Sequence, residues 1–299
     1  MEATKRPTHP APNRLAECAL PGTAFGYPRN YLDNRLVYVV ISPRARGLAI
    51  GVNLNPDHYC NFDCIYCEVD RSRPAAMENI DIEMLTVELE RTVDLVKSGR
   101  IAEHPDFHGL PKEMLRLQHV ALSGDGEPTL CSRFTEVVET VMHLRASQKN
   151  AFFKVVLVTN CTGLDWPGVE VGLHYFTRRD EIWAKFEAGT QSYMDLLNRP
   201  NISLAKVMSN IILVSKRSPV VIQSMFPMIN GQEPKAEEIN QYALRLKELT
   251  AQGASIPLVQ IFSATRPSAH SECGHLPARI LSNISHTVRN ITGLNVEVF

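Results

Sequence analysis

Cys60, Cys64 and Cys67 fall within eight residues, in the run His58-Tyr59-Cys60-Asn61-Phe62-Asp63-Cys64-Ile65-Tyr66-Cys67, with spacing C-x3-C-x2-C. Thiols this close in sequence are first of all metal ligands or disulfide partners. An iron-sulfur cube needs a ligand on each of its irons, so three cysteines leave one iron open to a molecule that is not protein. Seven cysteines, after a polar, proline-broken start with no apolar signal core, argue against a disulfide framework. Reduced thiols fit the cytoplasm. A structural zinc site usually draws two Cys/His pairs from separated segments. Here the local fourth candidate is His58, and His-x-Cys is poor spacing for it.

A second chemical motif is Ser123-Gly124-Asp125-Gly126-Glu127-Pro128-Thr129-Leu130. Its glycines let backbone approach a ligand closely, and Glu127 sets a carboxylate beside them. A plain turn explains such a stretch equally well when it stands alone. Gln223 and Gln260 are polar residues inside apolar runs. Buried there, they need partners: ligand contacts, or a structural hydrogen bond. Cys161 and Cys273 can donate a hydrogen atom or bind metal, but a free cysteine more often packs as a small apolar residue, and Cys18 and Cys131 offer less.

The elements that must carry these residues alternate. Short β-branched runs at 48–54, 117–123, 153–159, 181–187, 219–226 and 257–263 are separated by amphipathic stretches, the pattern of β-α units on a parallel sheet. One helical face is Ile82, Leu85, Leu89, Val93 and Val96, stopped at Gly99; others run from Phe134 after Ser132 and from Leu204 after the cap residue Ser203. Ile239 to Leu249 precede Gly253, and Leu281 to Ile291 precede Gly293. Residues 36–54 read as two strands around a turn, so the cysteines follow the first core strand and the 123–130 motif follows the second. Ligands gather at such carboxyl ends. Lys185 and Glu187 share a face by the period of two. The reading is one core domain, 36–299, behind an N-terminal arm, 1–35.

With 31 Lys+Arg against 32 Asp+Glu, the net charge of −1 gives no overall basic field for nucleic acid or anionic membrane. The longest apolar runs fall far short of the roughly 20 residues that cross a bilayer.

The cysteine motif with Tyr66 before its third cysteine, joined to Gly126-Glu127-Pro128, resembles the radical S-adenosylmethionine (radical SAM) superfamily. The run GVNLNPDHYCNFDCIYCEVDR, then LSGDGEPTL, Asn198-Arg199-Pro200 and Gln260 to Arg266-Pro267, is similar to its wyosine-synthase-related group of iron-sulfur oxidoreductases. The likeness covers residues ~35 to 299, nearly the whole chain. It implies a partial (β/α)6 barrel holding one 4Fe-4S cluster on Cys60, Cys64 and Cys67, with SAM chelating the open iron. Reductive cleavage would then yield a 5'-deoxyadenosyl radical that abstracts hydrogen from a substrate. By the same resemblance, Tyr66 packs near the adenine, Gly126 and Glu127 receive the methionine amine, and Thr159 and Asn160 match a Thr-Asn pair near SAM. Lys185 either pairs with Glu187 or reaches the SAM carboxylate. Related sequences often have Gly-Gly before the glutamate, where this chain has Asp125, and aspartate where it has Glu187.

The resemblance also implies an external one-electron donor of flavodoxin or ferredoxin type. Wyosine synthases carry further cysteines ahead of the radical motif, whereas upstream of Cys60 there is only Cys18, so a second cluster is not expected. A tRNA-modifying enzyme is an alternative that the net charge does not favour, since phosphate contacts supply much of RNA affinity. A glycyl-radical-enzyme activase is another. The alternative of a different class is a non-catalytic iron-sulfur or zinc binding module, which leaves Gly126-Glu127 unexplained.

Overall fold

The computed structural model describes residues 32–72, 75, 77–147, 152–266, 268 and 270–299. The arm expected over 1–35 lies outside these as far as residue 31, and so do Cys18 and Pro267. The strands are β1 (Val37–Ser42), β2 (Gly47–Asn53), β3 (Leu117–Ser123), β4 (Lys154–Thr159), β5 (Glu181–Lys185), β6 (Val220–Met225), β7 (Met228–Ile229), β8 (Val259–Phe262), β9 (Cys273–Gly274) and β10 (Val296–Val298). The helices are α1 (Ile82–Lys97), α2 (Phe134–Ser147), α3 (Pro167–Leu173), α4 (Gln191–Leu197), α5 (Leu204–Ser215), α6 (Ala236–Ala251) and α7 (Ala278–Thr292).

Eight strands form one sheet in the order β1-β2-β3-β4-β5-β6-β8-β10, and β7 pairs with β9 in a small separate ribbon. β1 is antiparallel to β2, and every other pairing in the large sheet is parallel. Six strand-helix units, the first starting from hairpin strand β2, run along the sheet as expected, and β10 adds a further parallel strand at the far edge. The sheet curls into the partial barrel that the resemblance implied.

Side-chain parity explains what the curl encloses. Val155, Leu157, Ile182, Ala184, Val220 and Ile222 pack outward in the large core with the helices. Their alternates Val156, Trp183 and Val221 form a second cluster on the inner face. Continuing the same inner parity up the strands gives Val158, Lys185 and Gln223, all of which line the central cavity. The edge at β1 repeats the scheme, with Val37 and Val39 outward and Tyr38 and Val40 toward the cavity.

The helices end where local chemistry ends them. Asp81 caps α1 by accepting from the Met84 N–H, and Ser203 caps α5 from the Lys206 N–H. Gly293 closes α7 at φ +72°, a left-handed turn that suits glycine.

Candidate functional site

The loop after β2 carries the three cysteines and is stitched down on both flanks. The Asp63 and Ile65 N–H groups donate to the Asn198 and Leu197 carbonyls, each at 3.0 Å, and the Leu54 N–H donates to Ser123 at 2.9 Å. Each sulfur has one N–H aimed at it: the Phe62 amide at Cys60 (3.4 Å), Asn198 Nδ2 at Cys64 (3.4 Å) and Arg71 Nη1 at Cys67 (3.5 Å). N–H groups on sulfur favour the thiolate and are a known lever on cluster potential.

All three cysteines line a single cavity of about 240 Å³. Among the described residues, no group of three or more His, Cys, Asp or Glu side chains is arranged to hold a metal ion. Ligands of one zinc ion each stand about 2.3 Å from it and so crowd together, whereas three corners of a cube keep their sulfurs apart. Three thiols on one loop are a donor type that iron-sulfur clusters use. Burial pushes the Cys60 thiol up, with Glu127 adding to it, and pushes Cys64 up to about 12, with Glu187 adding to it. A metal that binds here must displace protons.

The turn after β3 presses on this loop. A Cβ at Gly126 would meet the Tyr59 carbonyl oxygen at 1.8 Å, and the next amide, Glu127 N–H, donates to that same oxygen at 3.0 Å. Glycine is thus required at 126 by the approach of the cysteine loop itself, whatever ligand also comes near. Asp125 is explained in the same way: its Oδ2 accepts from Asn53 Nδ2 and its N–H donates to Asn53 Oδ1, both at 3.0 Å.

Glu127 is buried and heavily engaged. Its Oε1 accepts from the Thr129 N–H and from the hydroxyls of Thr129 and Thr159, and its Oε2 accepts from the Asn160 N–H at 2.7 Å. Burial raises its pKa, and these four donors oppose the rise. Glu127, Thr159 and Asn160, which the resemblance grouped, are therefore in direct contact at the ends of β3 and β4. Asn160 reaches further, donating from Nδ2 to Asn61 beside Cys60 at 3.0 Å.

Lys185 and Glu187 face the same cavity, but no ion pair within 4 Å joins them among the described residues. Glu187 accepts instead from the Tyr66 hydroxyl on both oxygens (2.6 and 2.7 Å) and from Asn198 Nδ2 (2.8 Å). The Lys185 ammonium stands over the Tyr66 ring, 5.8 Å from its centroid. Burial opposes its charge, but the neighbouring thiols and Glu187 leave its pKa raised.

Gln223 Nε2 donates to Gln260 Oε1 at 2.9 Å across paired strands, the structural form of the two alternatives. Cys161 is fully buried in the outer core and off the cavity, at φ +70°, so core packing accounts for it. Cys131 and Cys273 do not line the cavity either.

Reasoning from sequence undervalued Asn198, which touches Cys64, Tyr66 and Glu187 together, and Arg71. Asn198 lies far along the chain from the loop it completes. Arg71, four residues past Cys67, was visible as a cation next to the thiols.

No family model matches the chain. It is 26% identical over 211 residues to an uncharacterized protein of Methanocaldococcus jannaschii, covering 67% of this chain and 42% of that one. A GTP 3',8-cyclase of Haemophilus ducreyi is 32% identical over 109 residues, covering 36% of this chain and 25% of the cyclase. The chain thus spans less than half the length of these two relatives. Among solved structures, Streptococcus suis SuiB bound to precursor peptide SuiA superposes at TM-score 0.57 and 13% identity, covering 82% of this chain and 47% of SuiB. TYW1 with a lysine-pyruvate adduct bound superposes at 0.52 and 14%, covering 82% and 74%. The fold these likenesses define is the partial barrel of the radical SAM enzymes.

Proposed function

We propose that the protein is a radical SAM enzyme that holds one 4Fe-4S cluster on Cys60, Cys64 and Cys67 and leaves the remaining iron to S-adenosylmethionine. The carrying observation is that all three loop sulfurs line one cavity with the Glu127 carboxylate, each sulfur accepting one N–H. With SAM bound, such a cluster supplies one-electron cleavage of the sulfonium to methionine and a 5'-deoxyadenosyl radical, which takes a hydrogen atom from substrate. The chain's own part is to bind, orient and exclude water.

Glu127 receives the methionine ammonium. Its Oε2 accepts one N–H, from Asn160, and so keeps acceptor capacity toward the cavity. Lys185, whose ammonium has no hydrogen-bond acceptor among the described residues, takes the SAM carboxylate. Tyr66 offers an aromatic wall whose hydroxyl is fixed by Glu187, and Gly126 keeps the turn close to the loop. An external donor of the flavodoxin or ferredoxin type supplies the electron.

The test is electron paramagnetic resonance on anaerobically reconstituted, dithionite-reduced protein. A 4Fe-4S signal that changes shape when SAM is added is expected. A signal indifferent to SAM would contradict the reading and favour a binding module.

A further inference from the structure

Four cations line the cavity: Arg44, Arg71, Lys185 and Arg266. Three of them have partners or a task already described. Arg71 donates to Cys67 and to the His58 carbonyl, Arg266 donates to Glu68 at 3.3 Å, and Lys185 stands among the thiols and Tyr66. Arg44 differs. Among the described residues no acceptor reaches its guanidinium, and its Nε is sealed from solvent with no partner. The group lies over the Phe262 ring, 4.1 Å from the centroid. Burial, then Arg266 beside it, lower its pKa to about 10, with Glu68 opposing, so it stays charged at neutral pH.

A half-buried guanidinium that gains only a ring contact keeps an unmet demand for an anion. A ring contact does not replace the hydrogen bonds that a charged donor loses when it is buried without an acceptor. The arrangement is also held in place. Arg46, two residues on, pairs with Glu297 of β10 at 2.7 Å, tying the hairpin turn across the sheet edges, and Phe262 is itself buried. Lys185 lies among the three thiols, whereas Arg44 lies over Phe262 with Arg266 and Glu68 near it.

We propose that Arg44, with Arg266 beside it, anchors an oxyanion of the substrate, a carboxylate or phosphate, gripped through its two Nη–H groups. A planar fork suits both anions, which a lysine at the same place would meet only as a point charge. The proposal rests on the preceding reading in so far as the occupant is the substrate; the anion site itself stands on the hairpin's geometry.

The experiment is isothermal titration calorimetry of the full chain, reconstituted and cluster-free, with inorganic phosphate and with acetate against chloride at matched ionic strength. Saturable binding of phosphate, acetate or both is expected in both states, the tighter anion naming the group. Arg44→Gln should weaken it by about tenfold or more, and Arg44→Lys by about fivefold, since charge without the fork is a poor substitute. If Arg44→Gln does not fold by circular dichroism, Arg44→Lys decides. No saturable binding by the natural sequence, or unchanged binding in the folded variants, overturns the site. Anion binding by a protein whose cluster yields no 5'-deoxyadenosine sinks the radical reading and leaves the site, while SAM cleavage without anion binding does the reverse.

Discussion

A methyl group at position 126 has nowhere to go, because the Tyr59 carbonyl oxygen lies 1.8 Å from where it would sit. Gly126→Ala must therefore lift the turn off the cysteine loop and break the Glu127 N–H bond to the same oxygen. The expected outcome is poor iron retention after reconstitution and a loss of about 2–4 kcal/mol in urea denaturation. Full iron with an unchanged midpoint would mean that the two loops are not packed as described. One residue on, Glu127→Gln sets an NH2 among four donors that need acceptors, whichever way the amide turns. A cost of about 1–3 kcal/mol in the cluster-free protein is expected. A cost near zero would show that Glu127 is not the tie between β3 and β4.

Helix α1 carries a buried glutamate that no periodicity explains. Glu88 accepts the backbone N–H groups of Arg35, Leu36 and Val37 at 2.8–3.0 Å and so fixes the start of β1. Glu88→Ala leaves three donors without their acceptor. A loss of about 3 kcal/mol and fast amide exchange at 35–37 are expected, and protected amides there would contradict it. On β3, His119 packs edge-on to Trp183 and is held neutral, burial first and Lys154 second lowering its pKa to about 3. The unfolded chain takes up this proton below about 6.5, whereas the folded one waits until about 3. Its contribution is whole above pH 6.5 and falls, by up to about 1.4 kcal/mol per unit, as pH drops toward 3. His119→Gln should flatten the stability profile in that window, and an unchanged slope would refute a neutral buried histidine.

Elements were legible in sequence where pattern is local. LAIGVNL, LQHVALS and KVVLVT announce strands by their β-branched runs, and the Ile82 to Val96 stripe announces α1. β10 escaped because Val-Glu-Val is a strand only in the company of β8, and α3 and α4, at seven residues each, are too short to show a period.

Over the whole molecule, β1, the six strand-helix units that start at β2, and β10 curl so that inner-face residues from many strands share one cavity. The cysteines and Gly126-Glu127 were readable because each motif is contiguous. Asn198 on Cys64 and Arg44 against Phe262 were not, because their partners lie more than a hundred residues away and only closure brings them together. The measurement that bears most directly on this assembly is anaerobic reconstitution, reduction with dithionite in the presence of SAM, and mass spectrometry for 5'-deoxyadenosine. The expected result is 5'-deoxyadenosine and methionine in equal amounts from the natural sequence, and neither from Cys60→Ala, Cys64→Ala or Cys67→Ala. A reconstituted, reducible cluster that forms no 5'-deoxyadenosine would contradict it.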